Sequence, residues 1–232
     1  YNSCRNRHCP KCQGRNREDW IQTRETELLP VPYFHVVFTL PEVLNKTALH
    51  EPKMLYDILF ESAWETLQTF GKNKNLQMGM IAVLHTWGQN LSLHPHLHCI
   101  VPGGGVDENG GWKNIRNDGK FLFSVKALSK VFRAKFCEKL KANLKDKFNE
   151  NQENEYEKIR QSLWEKPWVV YAKKPFGSPK SVVEYLGRYS HKIAVSNQRI
   201  RKIDAETVTF SYKDYRQKGI KKQMVLSHEE FI

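Results

Sequence analysis

Three histidines alternate in the run His94-Pro-His-Leu-His98, and about ninety residues later two tyrosines stand four apart in Tyr185-Leu-Gly-Arg-Tyr-Ser-His191. On a β-strand the histidines would project from one face while Leu97 and Cys99 point the other way. Such a face can hold a divalent cation. His96 and His98 are the expected ligands, because they flank a single hydrophobic residue and lie deeper in the strand than His94. On a helix over residues 179–191, side chains four apart lie one above the other, so Tyr185 and Tyr189 would offer both phenols to one spot. A tyrosine hydroxyl, with an ordinary pKa of ~10, is a weak nucleophile until a base or a metal assists it. A metal beside two phenols points to phosphodiester cleavage by tyrosine, and two interchangeable nucleophiles suit breaking and rejoining DNA strands.

A third ligand is expected at Gln89, which lies seven residues before His96 and can return beside the histidines across a hairpin. Its amide oxygen suits a hard cation, with His191 and His94 as rivals. A second metal centre is expected at the start of the chain. Cys4, Cys9 and Cys12 crowd the first twelve residues, Cys9-Pro-Lys-Cys12 is one hook of a zinc site, and the set is expected to be completed either by Cys4 and His8 or by a second hook upstream of this sequence. Five cysteines, an odd number, argue against a disulfide framework and for a reducing compartment. Cys99 and Cys137 read as small buried hydrophobes.

The elements that must position these residues are legible as patterns. Polar, helix-favouring residues 15–29 end before Pro30 and Pro32. Residues 33–40, rich in β-branched and aromatic side chains, read as a strand stopped by Pro41. Residues 51–70 carry Leu55, Ile58, Leu59, Ala63, Leu67 and Phe70 at helical spacing, which predicts a helix packed on the sheet. Residues 78–87 and 97–101 read as an antiparallel pair of strands, followed by a glycine-rich hairpin connection over 103–111. A long amphipathic helix is predicted over 125–147, and the polar stretch 148–158 reads as a solvated turn between helices. Residues 168–172 form another strand, Pro179 and Ser181 open the tyrosine helix, and 193–195, 199–203, 207–212 and 223–226 are short strands. Lys218-Gly is a turn, and 227–232 begins a further helix. Strands joined largely as hairpins and interleaved with helices give an α+β class with a central antiparallel sheet.

Composition narrows the partners. Lys and Arg number 37 against 25 Asp and Glu, a formal charge of +12 with a pI near 9.4. From Lys173 to Lys222 there are 13 basic and 4 acidic residues, so most of the surplus surrounds the tyrosines. Arg188, Lys192, Arg199, Arg201 and Lys202 are the expected DNA contacts, and Trp87, Trp112, Tyr171, Tyr212 and Tyr215 are available to stack bases. No hydrophobic run reaches the ~18–20 residues of a membrane span, and nothing reads as a signal peptide. An intracellular protein that does not enter membranes is expected.

Taken together, Ser3-Cys-Arg-Asn-Arg-His-Cys-Pro-Lys-Cys12, His94-Pro-His-Leu-His98 with Val101-Pro-Gly-Gly-Gly105, and Tyr185-Leu-Gly-Arg-Tyr-Ser-His-Lys-Ile-Ala-Val-Ser-Asn197 resemble the insertion-sequence-91 family of rolling-circle transposases, relatives of ISCR elements and more distantly of Helitrons. The resemblance covers nearly the whole chain, with Phe38-Thr-Leu-Pro41 and Tyr212-Lys-Asp-Tyr215 matching in kind. It implies an HUH (His-hydrophobic-His) two-tyrosine fold with the histidines on a central strand and the tyrosines on an adjacent helix. It also implies Mg²⁺ or Mn²⁺ at His96 and His98, Zn²⁺ at the cysteine segment, and Tyr185 and Tyr189 as nucleophiles. The substrate implied is single-stranded DNA at element ends, nicked so that the 5′ phosphate stays on tyrosine and a 3′ hydroxyl is released. A bacterial cytoplasmic, nucleoid-associated location follows from the same likeness. Residues 1–30 are expected to be part of a zinc segment with a linker helix, and 31–232 a catalytic domain. Because the chain opens at Tyr1 with one cysteine hook and stops as a new helix begins, it is expected to be a fragment. The competing readings are a rolling-circle replication initiator, a noncatalytic zinc-dependent DNA-binding protein, and a hydrolytic zinc enzyme using His94, His96 and His98.

Overall fold

The computed structural model describes residues 10–116, 122–144, 150–173, 178–190, 195–214 and 217–231. Within these, the side chains of 10, 11, 13, 150–156, 179, 180, 186 and 188–190 stand outside the description. In chain order the elements are α1 (Pro10–Thr26), β1 (Tyr33–Thr39), α2 (Asn45–His50), α3 (Pro52–Lys72), β2 (Gln77–Met78), β3 (Ile81–Trp87), β4 (Leu93–Pro102), β5 (Gly104–Val106) and β6 (Trp112–Asn114). They continue as α4 (Val125–Leu144), α5 (Glu150–Glu165), β7 (Val170–Lys173), α6 (Pro179–Ser190), β8 (Ile200–Ile203), β9 (Thr207–Asp214), β10 (Ile220–Ser227) and α7 (His228–Phe231). The class is α+β with antiparallel sheets, as the strand and helix patterns predict.

The central sheet has the order β3-β4-β1-β7, every neighbour antiparallel, so β4 with its histidines lies inside it. β1 reads Tyr-Phe-His-Val-Val-Phe-Thr, a sequence whose branched and aromatic side chains pack well on a pleated surface. Its even-numbered residues Phe34, Val36 and Phe38, with Leu97, Cys99 and Val101 of β4, face a dry core closed by α3 and α4. α3 begins with a proline in its first turn, where no amide partner is lost, and buries Leu55, Leu59, Ala63 and Leu67; α4 supplies Leu128, Phe132 and Phe136. Phe38 and Phe132 meet with ring centres 4.9 Å apart. The opposite face carries Tyr33, His35, His98 and Ile100, covered in part by Val182 and Val183 of α6 and by Ile21 of α1.

Two smaller sheets flank this frame. The β2-β5-β6 sheet holds the glycine-rich hairpin predicted over 103–111, turning at Asp107–Gly111. The β10-β9-β8 meander follows α6, and the β9–β10 connection ends in Lys218-Gly219, both in the left-handed region at φ 54° and 80°, with the Gly219 amide donating to the Asp214 carbonyl at 2.9 Å. Expectation and structure part at several places. Residues 150–158 lie in the helix α5, not in a solvated turn. Glu, Gln and Lys are good helix formers, and the apolar anchors come only at the far end, at Ile159 and the buried Leu163. Strand 78–87 is broken at Gly79-Met80, sending Gln77–Met78 to another sheet. Of the strand expected at 193–195, residues 193 and 194 lie outside the described residues and Val195 is in a bend. Among the described residues, no helix is long and apolar enough to cross a membrane.

Candidate metal and nucleophile site

β4 is longer than predicted, running from Leu93, and it pairs with β3 across a hairpin whose tip is Gly88–Ser92. Leu91 at that tip has a φ of 65°, uncommon for a bulky side chain. The pairing shifts between His85 and Trp87, which places Pro95 at a bulge, one of the few sites inside a sheet where a residue without an amide hydrogen is tolerated. Beyond the bulge the register is regular. His85 of β3 sits directly opposite His96, and Thr39 of β1 opposes His96 from the other side.

This register creates the site. Ligand atoms of His85, His96 and His98 all lie within 4.8 Å of one another, the one such group of three or more His, Cys, Asp or Glu among the described residues. His96 Nε2 and His98 Nε2 approach to 3.1 Å. The outer ring nitrogens are already occupied. His96 Nδ1 lies 2.6 Å from the His94 carbonyl oxygen, which can only accept, so Nδ1 carries the hydrogen and Nε2 of the neutral ring keeps its lone pair. His98 Nδ1 lies 2.8 Å from His35 Nε2, with the two rings stacked nearly parallel at 5.1 Å. Burial, helped by the charge of Lys173, pushes the His35 imidazole down to about 4, so it stays neutral at physiological pH and its Nε2 can accept from His98. Both HUH rings can therefore present bare Nε2 atoms to one point while neighbouring acceptors fix their orientation, the second-shell pattern of metal-ligating imidazoles. The donor set fits a divalent cation at His85, His96 and His98.

The His85 ring stacks on Trp87 at 5.4 Å and 13° and meets His96 and His98 edge-on. His94 contributes its carbonyl, and its ring lies 5.1 Å from that of His96. Tyr185 comes in from α6, its half-buried ring edge-on to His35 at 5.1 Å. One imidazole thus touches both a candidate ligand and a candidate nucleophile. α6 is held close to α1 by Gly187, where a Cβ would lie 2.5 Å from both Cδ1 and Cγ1 of Ile21. Tyr189 lies one turn further along α6, with its side chain outside the described residues, as is that of Arg188.

The other expected residues fall as follows. Gln89 is at the hairpin tip, where its Oε1 accepts from the Lys213 amide at 3.1 Å and its carbonyl accepts from Arg199. The Arg199 guanidinium also donates to the Ser211 carbonyl at 2.8 Å and lies over the Phe210 ring. Arg201 is exposed at a shift in the β8–β9 register, and Lys202 pairs with Asp204 at 3.0 Å. That lysine, with the Thr207 and Glu206 amides, holds the Asp204 carboxyl well below the usual range. Cys12 is buried on α1; Cys4, His8, Cys9, Lys192 and His191 lie outside the described residues. Cys99 and Cys137 are buried, and burial raises both thiols, Cys137 to about 11. Sequence reasoning missed His85 and His35. For His85 a signal existed in its place on the strand paired with the histidine strand; for His35, a lone histidine in an apolar strand, there was none.

Comparison with known proteins agrees with the motifs. Residues 79–232 match the family described as Putative transposase, and residues 1–40 match the IS91-type Transposase zinc-binding domain. The chain is 42% identical over 243 aligned residues to Putative transposase y4qJ of Sinorhizobium fredii (strain NBRC 101917 / NGR234), covering 100% of this chain and 61% of that relative. It is 28% identical to the transposase for insertion sequence element IS801 of Pseudomonas savastanoi pv. phaseolicola, covering 100% of this chain and 56% of that one. It thus spans less than two thirds of either relative's length. Among solved structures, conjugative relaxase TrwC in complex with mutant oriT DNA aligns at TM-score 0.36 and 13% identity over 47% of this chain and 44% of TrwC. A metal-bound TrwC–oriT complex aligns at 0.34 and 11% over 69% and 72%. With the matched family spanning the histidine strand, the tyrosine helix and the basic meander alike, the chain belongs to the family described as Putative transposase, and its first forty residues carry the match to the IS91 zinc-binding domain.

Proposed function

We propose that the protein is a rolling-circle DNA transposase that nicks single-stranded DNA at element ends and transfers the strand through a 5′-phosphotyrosine. The observation that carries this reading is the convergence of three imidazoles on one point, with Tyr185 packed against the imidazole that buttresses one of them. A divalent cation, Mg²⁺ or Mn²⁺, held by His85, His96 and His98 would supply charge neutralisation and orientation at the scissile phosphate. Gln89 oxygen is engaged with β9, which favours His85 as the third ligand.

The chemistry of the chain's own residues is a substitution at phosphorus. The Tyr185 hydroxyl loses its proton and its oxygen bonds to phosphorus. The bond from phosphorus to the 3′ oxygen breaks, and that oxygen takes up a proton as a 3′ hydroxyl. Tyr189, one turn along the same helix, is the nucleophile of the second strand-transfer step in this reading. His35 is a positioning residue: neutral and buried, it holds His98 in the tautomer that aims Nε2 at the site. In this reading Cys4, Cys9, Cys12 and His8 of residues 1–30 would hold Zn²⁺, and that segment serves to grip DNA for the catalytic domain of 31–232. Arg188, Lys192, Arg201 and the exposed Tyr171 extend the DNA-facing surface, and the reaction belongs to the bacterial cytoplasm, where the nucleoid lies.

The test uses 5′- and 3′-labelled single-stranded oligonucleotides spanning a candidate element end, with Mg²⁺, Mn²⁺ or chelator, resolved on denaturing gels. A metal-dependent protein adduct on the 5′ end of the downstream product, lost when both Tyr185→Phe and Tyr189→Phe are introduced, is expected. Cleavage without any adduct would replace this reading with hydrolytic zinc chemistry, which the three-histidine set also suits.

A further inference from the structure

The β8–β9–β10 meander carries an electrostatic arrangement that its own stability does not account for. Lys213 of β9 and Lys221 of β10 are directly opposite in the antiparallel register, a like-charge pairing that weakens a sheet. The neighbouring cation on β10 is treated differently: Lys222 is paired with Asp214 at 2.7 Å. Among the described residues no carboxylate forms an ion pair with Lys213, Lys221 or Arg201, the last at the register shift between β8 and β9. These three side chains, with Gln89, Arg199 and Ser211, line a groove of about 270 Å³.

The groove is also fixed to the metal hairpin. Gln89 lies four residues beyond His85 and is bonded through its side-chain oxygen to the Lys213 amide and through its carbonyl to Arg199. Arg199 is committed to these internal bonds and to the Ser211 carbonyl, so it shapes the groove wall while Arg201, Lys213 and Lys221 supply the uncommitted charge. A concave wall with three cations, too small for a large organic ligand and continuous with the hairpin that holds His85, matches an anionic group repeated along a chain.

We infer that this groove is a backbone subsite for single-stranded DNA, in which Arg201, Lys213 and Lys221 hold successive phosphates of the strand that runs over the Gln89 tip to the histidine site. The inference rests on the DNA-strand reading above and adds to it a place. The phosphate contact is sequence-independent, setting the register of the strand while leaving choice of end sequence to other contacts.

The experiment is fluorescence anisotropy of the full chain with a labelled thirty-nucleotide oligo-dT as a function of salt, alongside thermal melts. Replacing both lysines, Lys213→Gln with Lys221→Gln, removes two phosphate contacts. Binding is expected to weaken about tenfold at moderate salt, and the log–log salt slope to become shallower by about 1.4. The melting temperature is expected to hold or rise, because a repulsive pair is gone. Arg201→Gln alone, at an exposed position, is expected to lower the slope by about 0.7 without touching that pair. If the wild-type chain binds the oligonucleotide with a steep salt dependence and the variants keep both affinity and slope, the groove assignment is overturned and the DNA reading stands. If the wild-type chain shows no salt-dependent binding, the DNA reading falls and the groove assignment with it.

Discussion

The two faces of the central sheet are built from the same strands and differ by one residue of register. On one, Phe38, Leu97, Cys99 and Phe132 close a dry core under α3 and α4; on the other, His35, His85, His96 and His98 stand with α6 covering only part of them. The dry face is redundant, since each apolar side chain touches several others and any one supports the rest. The histidine face is not. Its order comes from directed contacts, the His96 Nδ1 hydrogen bond to the His94 carbonyl and the His98 Nδ1 contact with His35 Nε2, joined by edge-on packing of the His85 ring. Strand alternation lets a stable scaffold and a reactive surface share one backbone, and a one-residue slip would exchange them.

The sharpest way to break this division is to damage the dry face and watch the other. Phe132 is fully buried between Phe38, Phe136 and Trp168. Phe132→Ala is expected to cost about 3–5 kcal/mol in denaturant unfolding. The Mn²⁺ affinity of the molecules that remain folded should be unchanged; a parallel loss of affinity would mean that the faces are coupled. On the histidine face, Mn²⁺ at a hundred times its dissociation constant is expected to stabilise the chain by about 2.7 kcal/mol. His85→Ala should abolish most of that gain, measured against the variant's own metal-free melt, which falls because the ring is buried against Trp87, His96 and His98. A full metal-induced shift in His85→Ala would remove His85 from the ligand set and return Gln89 to it.

The histidine face is covered in part by the seam of α1 and α6. Gly187→Ala gains about 1 kcal/mol of helix propensity, but its Cβ would fall 2.5 Å from two atoms of the buried Ile21. Overpacking of this kind costs about 1–3 kcal/mol, so a net loss near 1 kcal/mol is expected in urea melts. The adduct yield should fall further than stability does, because Tyr185 is two residues away on the shifted helix. Equal yield per folded molecule would show that Ile21 absorbs the strain alone.

What was legible in the sequence follows the same line between local and non-local information. His96, His98 and the tyrosine spacing are local patterns, and β1, α3, α4 and α6 follow from periodicity and their prolines. For His85 the sequence marks the strand but not the face, because its partnership with His96 depends on where the hairpin turns and on the bulge at Pro95, and a slip of one residue would turn it to the dry face. Gln89 drew attention for its nearness along the chain, yet the structure ties it to Lys213, 124 residues away. His35 resembles any buried histidine until β4 is laid beside β1. α5 was misread because its polar run precedes the apolar residues that anchor it.

The smallest expected effect lies at the solvent edge of the dry face, where polar contacts span α3 and α4. Glu65 accepts from Lys139 at 2.7 Å and lies 3.5 Å from Lys135, and the Lys139 contact, more than any other, holds its carboxyl below the usual value. A depressed carboxylate stabilises the fold above its unfolded pKa of ~4.3 and loses that contribution as pH falls through the folded value. The side chain is 42% exposed, so water screens the pair and Glu65→Gln should cost no more than about 1 kcal/mol at neutral pH. The cost should shrink with added salt and vanish in acid, where wild type and variant melts converge. Metal affinity should not respond at any pH above the carboxylate range. If Glu65→Gln instead weakened Mn²⁺ binding at neutral pH, charge on the α3–α4 side would be felt through the sheet, and the independence of the two faces would fail at its least perturbed point.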